Sequence, residues 1–202
     1  MKARAWSSLG VCAAMIVGVV SATEAQTTTD VYKASVHLKG WVRNDTPPPF
    51  AKVVIGTTQS LINLALGNDP KTVVPPNVIL AILVPVDGNG SLAVFDVSTN
   101  NVLAVIGTFV GPAVRTSPTR KVGTYLLPVE NVGNASFGLT GGDLMVDAIL
   151  VQPQGAAAVK ANGAMTGWLD LTVTDDTGTH TGAIPITVGK ITASHLATVV
   201  LP

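Results

Sequence analysis

Hydrophobic and polar residues alternate along much of this chain, and the alternation is clearest between residues 32 and 42. One set of alternate positions holds Tyr, Ala, Val, Leu, Gly and Val, and the other holds Lys, Ser, His, Lys and Trp. Successive side chains of a β-strand point to opposite faces, so a half-buried strand shows this period of two. The pattern predicts a first strand whose Lys, Ser and His side chains face solvent.

Three more strands are predicted between residues 78 and 107, separated by two turn sequences. Residues 78–84 are continuously apolar, which is typical of a strand buried on both faces. Asp87-Gly88-Asn89-Gly90 and residues 98–101 are rich in the turn-forming residues Gly, Asn, Asp and Ser. Strands at 92–97 and 102–107 follow these turns, so this part of the chain predicts an antiparallel meander.

The C-terminal half predicts strands at 144–151, 165–174, 182–188 and about 191–201, for a total of roughly eight to ten. Pro185 cannot donate a hydrogen bond to a neighbouring strand, so it predicts an edge or a bulge. Residues 111–121 are the most loop-like interior segment, because they combine Gly, Pro, Ser and Thr with three basic residues. We interpret them as a long connection within one domain; a division into two subdomains is the alternative.

Residues 57–66 are the one good helix candidate after residue 25. Thr57 is a suitable N-cap. Apolar side chains then recur four residues apart, in the pairs Leu61 with Ala65 and Ile62 with Leu66. The sequence therefore predicts an all-β fold, either an antiparallel β-sandwich or a closed or partly open β-barrel, with one short helix at about residues 57–66.

Residues 1–25 resemble a secretory signal peptide. Lys2 and Arg4 precede an apolar stretch, and small residues up to Ala25 provide a cleavage site. The apolar stretch is shorter than the roughly 20 residues that a bilayer-spanning helix needs. The sequence predicts export to the periplasm, the cell surface or the outside of the cell, with a signal of bacterial type. We expect residues 26–202 to form a single β domain.

The only cysteine, Cys12, lies at the start of that apolar stretch. Lipid attachment is disfavoured, because bulky Val11 precedes the cysteine and most of the apolar stretch follows it. Cleavage after Ala25 leaves a chain without thiols. Such a chain has no disulfides, no thiolate nucleophile and no cysteine-based metal site.

Charged residues make up only 12% of the chain, and the formal net charge is zero. No run of one sign occurs, so nothing in the sequence attracts a nucleic-acid backbone or an anionic membrane. We therefore expect no nucleic-acid partner. Aromatic residues make up only 4% of the chain, too few for the aromatic girdles of a membrane-inserted sheet, so we also expect no insertion of the mature chain into a membrane. So little charge favours neutral ligands or contact with other protein molecules.

Motifs that carry chemistry are weak. The sequence has neither a Gly-x-Ser-x-Gly elbow nor a glycine-rich phosphate loop. Residues 87–91 resemble the start of a calcium loop, but Ser98 stands where the closing carboxylate belongs, so a plain turn is favoured. His37, His180 and His195 are spread along the chain and are expected to be isolated and solvated. We predict a protein that is not an enzyme and needs no metal or cofactor.

The candidate ligand-binding residues are Trp41 and Trp168, which both fall on the polar side of their alternating patterns. An exposed indole stacks well on a sugar ring, although packing beneath a loop is its commoner fate. The leading hypothesis is an exported, non-catalytic structural or interaction module that associates with itself or with a protein partner through strand edges. The alternative is a binding domain for a neutral ligand, either a glycan or a small lipid.

Overall fold

The computed structural model describes residues 27–40, 56–86, 89–111, 114–117, 120–151, 160–176 and 178–201. Within these ranges the chain forms ten strands and one α-helix. The strands are β1 (Thr27–Gly40), β2 (Val78–Pro85), β3 (Ser91–Asp96), β4 (Asn101–Thr108), β5 (Val114–Ser117), β6 (Arg120–Pro128), β7 (Val132–Gly133), β8 (Phe137–Val151), β9 (Lys160–Asp175) and β10 (Gly178–Leu201). The helix is α1 (Thr58–Ala65).

All ten strands belong to one antiparallel sheet. Its order is β4, β3, β2, β1, β10, β9, β8, β6, β5, and β7 pairs with β8 beside this path. The sheet curls into a half-barrel, so that the segment after β4 reaches β6. There the amide of Val110 donates to the carbonyl of Leu126 at 2.7 Å, and the amide of Leu126 donates back at 2.8 Å. The fold class is all-β, as the sequence predicts.

Helix α1 packs against the concave side of the half-barrel. The Thr57 side chain caps its N-terminus by accepting a hydrogen bond from the amide of Ser60 at 3.3 Å. Leu61 and Leu64 are 1% and 0% exposed and belong to the main core, together with the inward side chains of the surrounding strands. An isolated helix of eight residues is unstable in water, so this packing provides most of its stability.

A second, smaller apolar cluster lies on the opposite face of the sheet, where β1, β2 and β3 run side by side. Its six buried members are Val31, Ile79, Ala81, Leu83, Ala93 and Phe95. Leu80, which comes from the same strand as three of them, belongs to the main core. Strand β2 is therefore buried on both faces, and this confirms the prediction from its continuous apolar sequence.

The predictions for β1 and α1 are confirmed. Ala34, Val36 and Leu38 of β1 are buried, whereas the polar residues that alternate with them are exposed. The helix spans Thr58–Ala65 with Thr57 as its N-cap, against a predicted 57–66. In β1 the periodicity of burial matches that of the sequence. In α1 all six residues from Ser60 to Ala65 are buried, so the helix is enclosed more completely than its two apolar pairs indicate.

The prediction of two strands at 182–188 and 191–201 is wrong, because both ranges belong to the single strand β10. A register shift between Ile186 and Gly189 marks a bulge within this strand. A Cβ atom at Gly189 would stand 2.7 Å from the Met165 carbonyl oxygen, so this glycine allows a close approach of two strands. Pro185 lies just before the bulge. This part of β10 pairs with β9 but extends past the end of β1, so residue 185 does not need an N–H to donate to β1, as predicted for a proline.

The prediction of one long connection at 111–121 is also wrong. Strand β5 and the start of β6 lie in this range and pair with each other as a hairpin. Polar residues and flanking prolines are compatible with a strand at this place, because β5 is the last strand of the sheet and needs a partner on one side only.

Candidate functional site

One end of the sheet is formed by β4, which pairs with β3. Beyond residue 105 the chain turns towards β6, but in the described ranges residues 101–105 have no strand on their free side. Their side chains include Val102, Leu103 and Val105, which are 39%, 44% and 38% exposed. An open row of main-chain hydrogen-bonding groups beside three apolar side chains is a template for pairing with another strand.

Two bulges shape this edge. The register between β3 and β4 skips Leu103 and Ile106, so each of these residues is the extra residue of a bulge. A bulge bends its strand, and the bend at Ile106 lies where the chain turns towards β6. The free pairing edge is therefore short, and it ends where the half-barrel begins to close.

The opposite edge of the sheet, β5, differs from β4. It has four residues, one of which is Arg115. Short edge strands and charged residues both hinder unwanted pairing. The eight residues of β4 include no charged residue and no proline. Of the two edges, β4 is the one suited to accept another strand.

A turn at residues 97–100 joins β3 to β4 and confirms the turn predicted there. Asp96 accepts hydrogen bonds from the Ser98 amide at 2.8 Å, the Ser98 hydroxyl at 2.6 Å and the Asn77 side-chain amide at 2.9 Å. These bonds, led by that from the Ser98 hydroxyl, lower the pKa of Asp96 from 3.8 to about 2. Asn100 completes the turn with a φ of 54°, a left-handed conformation that asparagine tolerates.

Replacing Asp96 with asparagine is expected to destabilise the protein in a pH-dependent way. A carboxylate with a lowered pKa stabilises the fold above its unfolded pKa, and this contribution is lost as pH falls to about 2. The stability difference between wild type and Asp96→Asn should therefore be largest at neutral pH and shrink between about pH 4 and 2. Urea unfolding at several pH values measures it, with Asp176→Asn in another turn as the control. A difference that does not change with pH would contradict the assignment.

Trp168 lies on the outer face of β9, meaning the face that points away from α1. Its indole is 44% exposed, so it is not packed beneath a loop. Its neighbours across the strands are Asp143 of β8 and Pro185 of β10. The other candidate, Trp41, lies outside the described residues. Trp168 thus offers a surface for stacking, and the neutral-ligand function stays a prediction.

The three histidines lie at separate places, but two of them are not solvated. The side chain of His180 is 9% exposed, and its Nε2 lies 3.1 Å from Asp175 Oδ1. That of His195 is 18% exposed, and its Nε2 lies 3.5 Å from Asp30 Oδ1. The expectation of solvated histidines is wrong for both, because strand pairing brings a carboxylate to each. His37 is exposed, as predicted.

The group around His195 depends on a bulge at Leu196, which the sequence does not reveal. The register places Tyr32 opposite His195 and Asp30 opposite Thr198. The Thr198 hydroxyl donates to Asp30 at 2.5 Å. Burial, and secondly the charge of Asp30, raise the pKa of Tyr32. Since the Nε2 of His195 faces both Asp30 and Thr198, these residues do not form the serial hydrogen bonds of a catalytic triad.

An open depression of about 550 Å³ lies beside the start of α1, over β1, β9 and β10. Its polar lining comprises Lys33, Ser35, Thr58, Asn162, Thr192 and Ser194. The Thr58 hydroxyl is engaged with the main chain, since it accepts from the Val36 amide at 3.0 Å and donates to the Val36 carbonyl at 3.3 Å. Among the described residues of this lining there is neither a carboxylate nor a histidine, so these residues offer no general base of those types.

The described residues contain no group of three or more His, Cys, Asp or Glu side chains arranged to hold a metal ion. Asp87 and Gly88, which begin the calcium-like turn, lie outside them. No helix in this part of the chain is long and apolar enough to cross a membrane. A scan against protein-family models, a search of curated proteins and a search of solved structures each found no match to this chain.

Proposed function

We propose that this protein is an exported, non-catalytic interaction module that adds a strand of a second copy or of a protein partner to the free edge of β4. The observation that carries this proposal is the uncharged, apolar edge at residues 101–105. The sequence of residues 1–25 supports the export part of the proposal. Secretion, the periplasm and the cell surface are all compatible with it.

Strand addition suits this edge for two reasons. Main-chain N–H and C=O groups that are solvated in the free protein acquire partners, and these bonds fix the orientation of the added strand. Val102, Leu103 and Val105 then lose water-exposed apolar area, which drives the association. The bulges at Leu103 and Ile106 limit the added strand to a few residues, so the contact is short and reversible.

A double variant, Leu103→Lys with Val105→Lys, is expected to weaken self-association by at least about tenfold. Charged side chains on an edge strand disfavour pairing, because a second strand would have to cover them. Light scattering coupled to size-exclusion chromatography, over a range of protein concentrations, measures the change. The matched control is Val73→Lys with Val86→Lys, two residues that are 84% and 72% exposed outside the sheet edge.

A wild-type protein that stays monomeric at the highest accessible concentration would contradict self-association through β4. If the double variant and the control associate equally, β4 is not the contact. A partner protein that binds wild type and the control, but not the double variant, would support the second form of the proposal.

A further inference from the structure

The central part of the outer face of β8, β9 and β10 carries nine side chains in three rows that run across the strands. The pairing register aligns Lys190 with Ala164 and Asp147 in the first row, and Pro185 with Trp168 and Asp143 in the third. In the middle row Thr166 lies opposite Met145. Val188 belongs to the bulge between residues 186 and 189, which pair with the two residues on either side of Thr166. Each row thus has one residue on each of the three strands.

The composition of this face changes from one side to the other. Lys190 lies on β10, and the adjacent strand β1 adds His37 opposite it. Two aspartates, Asp143 and Asp147, lie on β8. Between the charged residues are exposed apolar side chains: Met145, Trp168 and Val188 are 42%, 44% and 60% exposed. On this face the lysine lies on β10 and the two aspartates lie on β8, with apolar side chains among them.

We infer that this face binds the same face of a second copy, with a two-fold axis that runs along β9. Rotation about that axis places β10 of one copy over β8 of the other. Lys190 then meets Asp147 of the second copy, twice by symmetry, and Val188 meets Met145 in the next row. Trp168 lies at the axis, where it stacks against its own symmetry mate. A surface that is complementary to itself in this way is what a two-fold dimer requires.

One hydrogen bond within the chain fixes the position of Asp147. Asp147 accepts a hydrogen bond from the Thr124 hydroxyl at 2.6 Å. The bond holds the carboxylate at the surface, about two strand spacings from Lys190. At this distance Lys190 and Asp147 do not form an ion pair within one copy, so both charges are available to pair between copies.

The proposed contact is small. Nine residues a side are fewer than the roughly 20 to 30 of a standard interface, so we expect a dissociation constant of tens of micromolar or weaker. The inference rests on the proposed self-association, but it concerns a surface distinct from the β4 edge. Two separate contacts on one chain link copies into assemblies larger than a dimer.

Charge reversal tests this pairing directly. Lys190→Asp and Asp147→Lys are each expected to weaken the face-to-face dimer by about tenfold or more, since each places like charges together twice. An equimolar mixture of the two variants should associate as strongly as wild type, because every aspartate then meets a lysine. A variant that carries both Lys190→Asp and Asp147→Lys should also dimerise as strongly as wild type. Sedimentation equilibrium measures the constants, and Lys71→Asp, at an exposed position away from this face, is the control.

Both reversed side chains are exposed, so folding is checked simply by comparing circular dichroism spectra. Making these reversals in the Leu103→Lys, Val105→Lys background separates the two contacts. Recovery on mixing in that background supports the face-to-face dimer even if β4 has no role in assembly. Wild-type association of each single reversal, or a mixture no stronger than its components, would overturn the inference and leave the β4 proposal standing.

Discussion

Replacing Gly133 with alanine is expected to lower the free energy of unfolding by about 3 to 5 kcal/mol. Gly133 has a φ of +98°, in the region that favours glycine. A Cβ atom there would stand 2.5 Å from the Leu64 carbonyl oxygen and 2.5 Å from that of Phe137. Both obstacles are main-chain atoms, one in α1 and one in β8, so the helix would have to move away from the sheet.

Gly178→Ala is the matched control for this prediction. Gly178 has a φ of +131°, but a Cβ atom there would meet nothing within 4 Å. It reports the cost of the backbone conformation alone, about 1 to 2 kcal/mol. Urea unfolding of both variants isolates the cost of the overlap. Equal stabilities of the two variants would show that α1 does not pack closely on β7 and β8.

Replacing Leu64 with alanine is expected to lower the free energy of unfolding by about 3 to 4 kcal/mol. Leu64 is 0% exposed and lies in the main core, between the helix and the sheet. Removing its side chain loses buried apolar area and leaves a cavity that the surrounding strands cannot fill. This loss is a large part of the total stability of a typical domain, which is roughly 5 to 15 kcal/mol.

The control is Leu103→Ala, on a leucine that is 44% exposed at the β4 edge. This substitution is expected to change the free energy of unfolding by less than about 0.5 kcal/mol. Chemical denaturation monitored by tryptophan fluorescence measures both variants. A small decrease in the free energy of unfolding for Leu64→Ala would mean that α1 lies on the surface rather than in the core of the half-barrel.

Local sequence patterns predict the local structure well. The alternation in β1, the apolar run of β2 and the threonine cap of α1 each reflect interactions within a few residues, and the structure confirms each of them. The errors concern contacts between paired strands, which the period of two within one strand does not reveal. Gly189 falls between two predicted strands until Met165 is seen to pair with it. Arg115 looks like a loop residue until β6 is seen to pair with its strand.

The candidate surfaces depend still more on long-range pairing. Nothing in residues 101–105 shows that they lie at the end of a sheet, because the order of the strands decides that. Asp147 and Lys190 are far apart in the sequence, and only the register of β8, β9 and β10 places them in one row. The carboxylate partner of His195 likewise comes from β1, at the other end of the chain.

The free edge of β4 is the centre of this account, and hydrogen exchange of its main-chain amides tests it most directly. The measurement compares residues 101–105 in dilute and in concentrated protein. If a strand adds to this edge, the amides that point away from β3 exchange rapidly in dilute solution and become protected as the concentration rises. Rapid exchange of these amides at both concentrations, in a protein shown to associate, would contradict the account.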